Sequence, residues 1–335
     1  MDKSAVHPQL PLKTRISLFF LSAVTDATSR PDGTVNRRLF SMLTSLLKVP
    51  PSSSKPRHGV TTSDVAVDPS RDLWFRLFVP RDSDQQRQLP VLVFFHGGGF
   101  VYLSPDFKAY DQVCRRFASA VPAVVVSVNY RLAPEHPYPA QYEDGLDVLK
   151  FLEAERRRIL PDKADLSRCF VGGDSAGGNL AHHVALRAEA SAFRELRILG
   201  VVAIQPFFGG EQVRKSEIEL AAVDVVVNSA RTQFMWKAFM PRADRDHQVI
   251  NVSGPNAVDI TNIRFPATMV VVAGFDSLKD WQISYYNWLI DSGKQAYLIN
   301  YPNMFHAFYI FPELPESALL VSEIKNFIHK HSYST

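Results

Sequence analysis

The 335-residue chain reads as an α/β protein with a mostly parallel central sheet and helices on both faces. Three observations predict this. Short apolar runs, such as 91–95 and, but for Ser127, 123–128, have the length and content of strands buried on both faces. Helical patterns separate them, and strand–helix alternation is the signature of a parallel sheet covered on both sides. Glycine-rich turns fall where strands hand over to helices or loops, at 97–99 and 172–178.

In chain order, residues 16–47 form an amphipathic stretch broken by Ser29-Arg30-Pro31-Asp32-Gly33, so two helices joined by a turn are expected. Residues 50–56, with three prolines and three serines, read as a linker. Strands are expected at 60–67, 73–79, 91–95 and 123–128, with a helix over 109–120. Next come a helix over 142–158, a short strand at 169–171, a helix over 179–189 and a strand at 200–204. Residues 207–258 break the rhythm, with a helical pattern at 229–239 but no core strand, and read as an inserted cap. A strand at 268–273, a helix at 281–291, a strand at 297–299 and a helix at 317–329 complete the chain. The expected organisation is a lid segment over residues 1–50 and a core over 51–335, with 207–258 as the cap.

Hydrophobic residues make up 46% of the chain and charged residues 21%, which excludes a disordered polymer and supplies a sizeable core. The net charge of +3 argues against a nucleic-acid binder. The densest basic run, Arg156-Arg157-Arg158, reads as a solvated helix face because Glu153 and Glu155 precede it. Cys114 and Cys169 read as small buried hydrophobes, with no disulfide framework and no zinc spacing. The apolar run 16–24 is roughly half of what a membrane span needs. As a signal peptide it begins late, follows two prolines and lacks a small-residue cleavage site. Asn251-Val252-Ser253 has the form of a glycosylation acceptor, a triplet that also arises by chance.

The sharpest chemical signal is Gly172-Gly173-Asp174-Ser175-Ala176-Gly177-Gly178-Asn179. It satisfies G-x-S-x-G between a strand and a helix, which puts Ser175 on a sharp turn as a nucleophile. The helix N-terminus beneath it favours developing negative charge. No lysine follows the glycines, as a phosphate-binding loop would require. The second signal is His96-Gly97-Gly98-Gly99-Phe100 at the end of the 91–95 strand. Main-chain N–H groups of Gly98 and Gly99, with that of Ala176, are the expected oxyanion donors for acyl transfer. Gly97 serves the turn, and His96 packs under the loop. The two motifs resemble those of α/β-hydrolases.

In that fold the catalytic order is serine, acid, histidine. Of the ten histidines, His7, His58, His96 and His136 precede Ser175, and His182 and His183 follow it by only seven and eight residues, within the helical pattern 179–189 and before any candidate acid-bearing strand. His247 lies in the cap, and His329 and His331 end the last helix. His306, after the 297–299 strand, is the expected base. Asp276, following the 268–273 strand through Gly274-Phe275, is the expected acid. Asp280, about one helical turn on, reads as a helix-start residue. The side chain of Asp174 is expected to point away from the nucleophile.

The pairing of the two glycine motifs, with Tyr130-Arg131-Leu132-Ala133-Pro134-Glu135-His136-Pro137-Tyr138-Pro139 between them, resembles the hormone-sensitive-lipase branch of the α/β-hydrolases, and plant carboxylesterases in particular. Arg30-Pro31-Asp32-Gly33-Thr34-Val35-Asn36-Arg37 and Trp236-Lys237-Ala238-Phe239 resemble segments of the gibberellin receptors within that group. The resemblance implies an eight-stranded sheet, a lid built partly from the N-terminal helices, no cofactor, a small-molecule ester substrate and a cytosolic or nuclear home. It leaves the oligomeric state open. It also sets the readings apart. The receptors lack the catalytic histidine and carry serine where Gly99 and Ala176 stand. Their charged pair before the Trp-Lys-Ala-Phe segment is not reproduced around Arg231-Thr232-Gln233. The expected function is hydrolysis of small to medium apolar carboxylic esters. A hormone-receptor-like binding protein, or a dehydratase or transesterase on the same triad, is the alternative.

Overall fold

The structure, a computed structural model, describes Pro8 and residues 10–81, 88–224 and 226–333. Of the expected lid segment, residues 1–7 and 9 lie outside the described residues, His7 among them. The chain begins with α1 (Leu12–Thr28) and α2 (Arg37–Thr44). The core follows as β1 (Val60–Asp68), β2 (Leu73–Pro80), β3 (Leu89–Phe95), α3 (Lys108–Ala120), β4 (Val124–Asn129), α4 (Ala140–Ala154), α5 (Arg156–Ile159), β5 (Ala164–Asp174), α6 (Ala176–Glu189) and β6 (Ile198–Ile204). The segment expected as the cap contributes α7 (Lys215–Glu219) and α8 (Ser229–Phe239). The chain then closes with β7 (Ala267–Phe275), α9 (Lys279–Asp291), β8 (Ala296–Phe305) and α10 (Pro315–Ser332).

The eight strands form one sheet in the order β1-β2-β4-β3-β5-β6-β7-β8. The two pairings made by β2 are antiparallel and all others parallel. Strand side chains point alternately to opposite faces. Val91, Val93 and Phe95 therefore join one core with Leu149, Leu180 and Tyr285, while Leu92 and Phe94 join another with Val113, Phe117 and Ile324. A run that is apolar at every position needs this arrangement, because both faces of its strand are dry.

Three elements depart from the sequence reading. The helix expected over 142–158 is two helices, broken at Glu155, where Arg158 pairs back to that residue at 2.7 Å. The Arg156 guanidinium donates to the Ala164 carbonyl, turning the chain into the next strand. That strand, β5, starts at Ala164 rather than at 169, its polar first half paired with the start of β3. The largest departure is β8, which runs ten residues to Phe305 rather than stopping at 299. Asn300, Pro302 and Asn303 hide the strand from a pattern search, but β8 lies at the sheet edge, where polar residues and proline are tolerated.

The N-terminal helices are fastened to the core beside the first glycine motif. Arg37 forks onto Glu135 (Nε 3.0 Å, Nη2 2.6 Å) and also donates to the carbonyls of Val101 and Ala133. Phe40 packs on Tyr102 with ring centroids 5.1 Å apart. The 50–56 stretch is tied down too: the Ser52 N–H donates to Thr62 Oγ1 at 2.7 Å. Asn251 of the glycosylation-like triplet is buried, its amide donating to Asp246.

Candidate active site

Ser175 stands between β5 and α6 with φ +52° and ψ −119°, a conformation that side-chain-bearing residues seldom adopt. Its flanking glycines are dictated by contact. A Cβ on Gly177 would come within 1.9 Å of the Phe95 carbonyl oxygen, and one on Gly173 within 2.3 Å of the Gly177 carbonyl oxygen. The elbow is anchored from below by the Ser175 N–H, which donates to the Ile204 carbonyl at 2.9 Å.

The 96–99 loop leaves β3 beside this elbow. Gly98 and Gly99 have φ of +101° and +62°. His96 is fully buried, stacked on Tyr130 at 4.3 Å, with Nδ1 2.8 Å from the Gly97 carbonyl oxygen. Burial holds its imidazole down at about 4, so it is neutral at physiological pH. A chain of hydrogen bonds ties loop to elbow: the Gly97 N–H donates to the Tyr110 hydroxyl (2.8 Å), which donates to Asp174 Oδ2 (3.0 Å). Asp174 thus points into the packing beneath the loop, and burial raises its carboxyl to about 6 despite the Tyr110 hydrogen bond. Tyr110 was not singled out from sequence, because its role depends on where α3 packs.

His306 directly follows β8, and its Nδ1 lies 2.8 Å from Oδ2 of Asp276, which follows β7. With a carboxylate as acceptor, Nδ1 carries the proton and Nε2 keeps its lone pair. Burial pushes the imidazole down, but the charge and hydrogen bond of Asp276, with the charges of Asp224 and Asp174, outweigh it and raise His306 above the ordinary 6.5. Asp276 is fully buried. Its Oδ1 accepts the Leu278 N–H, and its Oδ2 also accepts from the side-chain amides of Gln282 (2.8 Å) and Gln205 (3.1 Å). Asp280 is engaged elsewhere, accepting the Ser216 N–H of α7.

Asp224 of the cap is a buried carboxylate that composition and motif did not single out. It accepts the N–H of Ser277 at 2.8 Å, next to the acid, as well as those of Val226 and Val227. Burial, then the nearby Asp276 charge, raise its own carboxyl. Cys114 and Cys169 are free and buried, and burial pushes both thiols up to about 12. No group of histidine, cysteine and acidic side chains suited to a metal ion occurs among the described residues.

Between α1, the cap and the ends of β7 and β8 lies an open groove of about 1030 Å³, lined by Leu18, Phe19, Val223, Phe275 and Phe305 among others. Arg231 crosses from α8 to α1 and forks onto Asp26 at 2.7 and 2.6 Å. Of the aromatic residues available to a lid, Phe19 lines the groove, whereas Phe207 stacks on Trp236 and Phe208 packs on Tyr285. Among the described residues no helix is long and apolar enough to cross a membrane.

Residues 92–310 match the family model described as alpha/beta hydrolase fold, and the chain belongs to that family. It is similar to the gibberellin receptor GID1C of Arabidopsis thaliana, 35% identical over 334 residues, covering 96% of this chain and 94% of the relative. It is also similar to the 2-hydroxyisoflavanone dehydratase of Glycyrrhiza echinata, 35% identical over 312 residues, covering 89% and 92%. Among solved structures, an ester-hydrolase from the metagenome of Lake Arreo, complexed with a bipyridine phosphonate derivative, superposes with a TM-score of 0.75 at 26% identity, covering 96% of this chain and 99% of the other. One fold thus carries a receptor, a dehydratase and an esterase, and the side chains of the site must decide among them.

Proposed function

We propose that the chain is a serine carboxylesterase acting on small to medium apolar carboxylic esters. Ser175 Oγ attacks the ester carbonyl while His306 Nε2 takes its proton. Asp276 holds the imidazole in the required tautomer and stabilises the imidazolium. The oxyanion of the tetrahedral intermediate is received by the main-chain N–H groups of Gly98, Gly99 and Ala176. His306 returns the proton to the departing alcohol, and water then releases the acid from Ser175 by the same steps in reverse order. The groove beside β7 and β8, whose mostly apolar lining includes Phe305 next to His306 but none of the triad or oxyanion residues, would suit an apolar acyl or alcohol group extending from the site.

The observation that carries this reading is the 2.8 Å hydrogen bond from His306 to a buried carboxylate that takes three further donors. A binding protein has no use for a base oriented in this way. The test is a fluorophosphonate label with mass mapping, followed by a series of esters of increasing acyl length. The label should fall on Ser175, and Ser175→Ala should fold normally and lose on the order of 10⁴–10⁶ in kcat. An unlabelled protein without turnover that binds a small acid tightly would favour the receptor reading.

A further inference from the structure

We propose that Gln205 is a positioning residue for His306. The proposal rests on the esterase reading of the site. Gln205 immediately follows β6, with φ +45°, in the left-handed region that a long side chain seldom occupies. Its own N–H donates to the Val271 carbonyl of the neighbouring strand, which fixes the backbone in that state. The side chain is buried, and its carboxamide brackets the base. Nε2 donates to Asp276 Oδ2 at 3.1 Å and to the Phe305 carbonyl at 3.1 Å, while Oε1 accepts the Ala307 N–H at 2.8 Å. One amide therefore holds the residue before His306, the residue after it and the acid that orients it.

Only a carboxamide fits this set of partners. The reverse orientation would set its oxygen against a carboxylate and a carbonyl, and its NH₂ against an N–H. An ionised glutamate would lose both donors, and a methionine would lose every polar contact and leave two buried main-chain groups unpaired. Ala307 has φ +63°, so the turn behind the imidazole has strain of its own to hold. Gln282 continues to donate to Asp276 when Gln205 is replaced. The loss should therefore appear in the aim of His306 more than in the charge of its acid.

The test uses the full chain carrying Gln205→Met or Gln205→Glu. In Gln205→Met, kcat should fall at least tenfold with KM within threefold, and the rate of fluorophosphonate labelling should fall in parallel. The low-field proton resonance of the His306–Asp276 hydrogen bond, identified by its absence in His306→Gln, should shift or broaden. In Gln205→Glu the protonated carboxyl can still donate to Asp276, whereas the ionised form repels it. Activity should then decline toward alkaline pH where the unmodified protein is level, a signature that mere structural damage does not give. A folded Gln205→Met protein with kcat within twofold, or with an unmoved low-field resonance, overturns the proposal. If Gln205→Met does not fold, a level alkaline profile in Gln205→Glu overturns it instead. Should the unmodified protein hydrolyse no ester and take no label, the esterase reading fails, and the resonance alone still decides the role of Gln205.

Discussion

Replacing Gly99 with alanine would test where the oxyanion donors lie. The added Cβ would fall 2.1 Å from Met235 Sδ and 2.6 Å from its Cγ. Carbon contacts settle at about 3.5–4.0 Å, so either Met235 swings away or the loop retreats by roughly 1.5 Å. The φ of +62° adds a left-handed cost of about 1–2 kcal/mol for a side-chain-bearing residue. A retreat of that size takes a donor out of reach of the oxyanion, and loss of one such donor costs about 10²–10³ in kcat. Because the obstacle is a flexible, half-buried side chain, Met235→Ala in the same protein should restore much of the rate. Gly98→Ala should not be rescuable. Its Cβ would fall 2.3 Å from the main-chain oxygen of Tyr102, at φ +101°. The assay is kcat and KM on a short-chain ester for the three variants, with thermal unfolding to confirm the fold. Full kcat in Gly99→Ala, or no recovery in the double variant, would refute the reasoning that places the donors on this loop.

Two further outcomes concern the acid and its surroundings. Asp276→Asn should lower kcat by around 10⁴ through loss of the imidazole's orienter and tautomer, whereas Asp280→Asn, whose carboxylate serves α7, should cost far less; a steady-state comparison that reverses the two sinks the assignment. Asp224→Asn should move the acid limb of kcat/KM to lower pH. Anions around His306 stabilise its protonated form and raise its pKa above 6.5, catalysis needs the neutral ring, and removing one anion lets that ring form at lower pH. An unchanged or raised midpoint in the pH–rate profile would show that the Asp224 charge does not reach the base.

Much of the site was legible because its demands are local. An elbow in which Cβ atoms would strike the main chain needs Gly173 and Gly177, and a loop with positive φ at Gly98, Gly99 and Phe100 carries glycine at two of the three. Such constraints act within a few residues and leave contiguous motifs. The proposed histidine and acid were chosen by chain order and by the strands they follow, and the structure pairs the two side chains at 2.8 Å. What was not legible is the surrounding support. Gln205 lies 71 residues from Asp276 and 100 from Phe305, and a glutamine before a proline announces neither contact. Asp224 and Tyr110 are ordinary residues until packing buries them.

The sequence by itself determined the class of sheet, because runs apolar at every position have no stable place except between two layers of helices. It also marked the glycine turns at 97–99 and 172–178, but not the positive φ of Phe100, Gln205 or Ala307. Only the tertiary structure decided that β8 continues through Asn300 and Pro302 to bring His306 onto Asp276, since an edge strand can carry residues that a central one cannot. It alone set His306 above rather than below its ordinary pKa. Burial pulls the imidazole one way and three carboxylates, drawn from the turn after β7, the cap and the elbow, pull it the other. The balance between them depends on distances that exist only once the chain is folded.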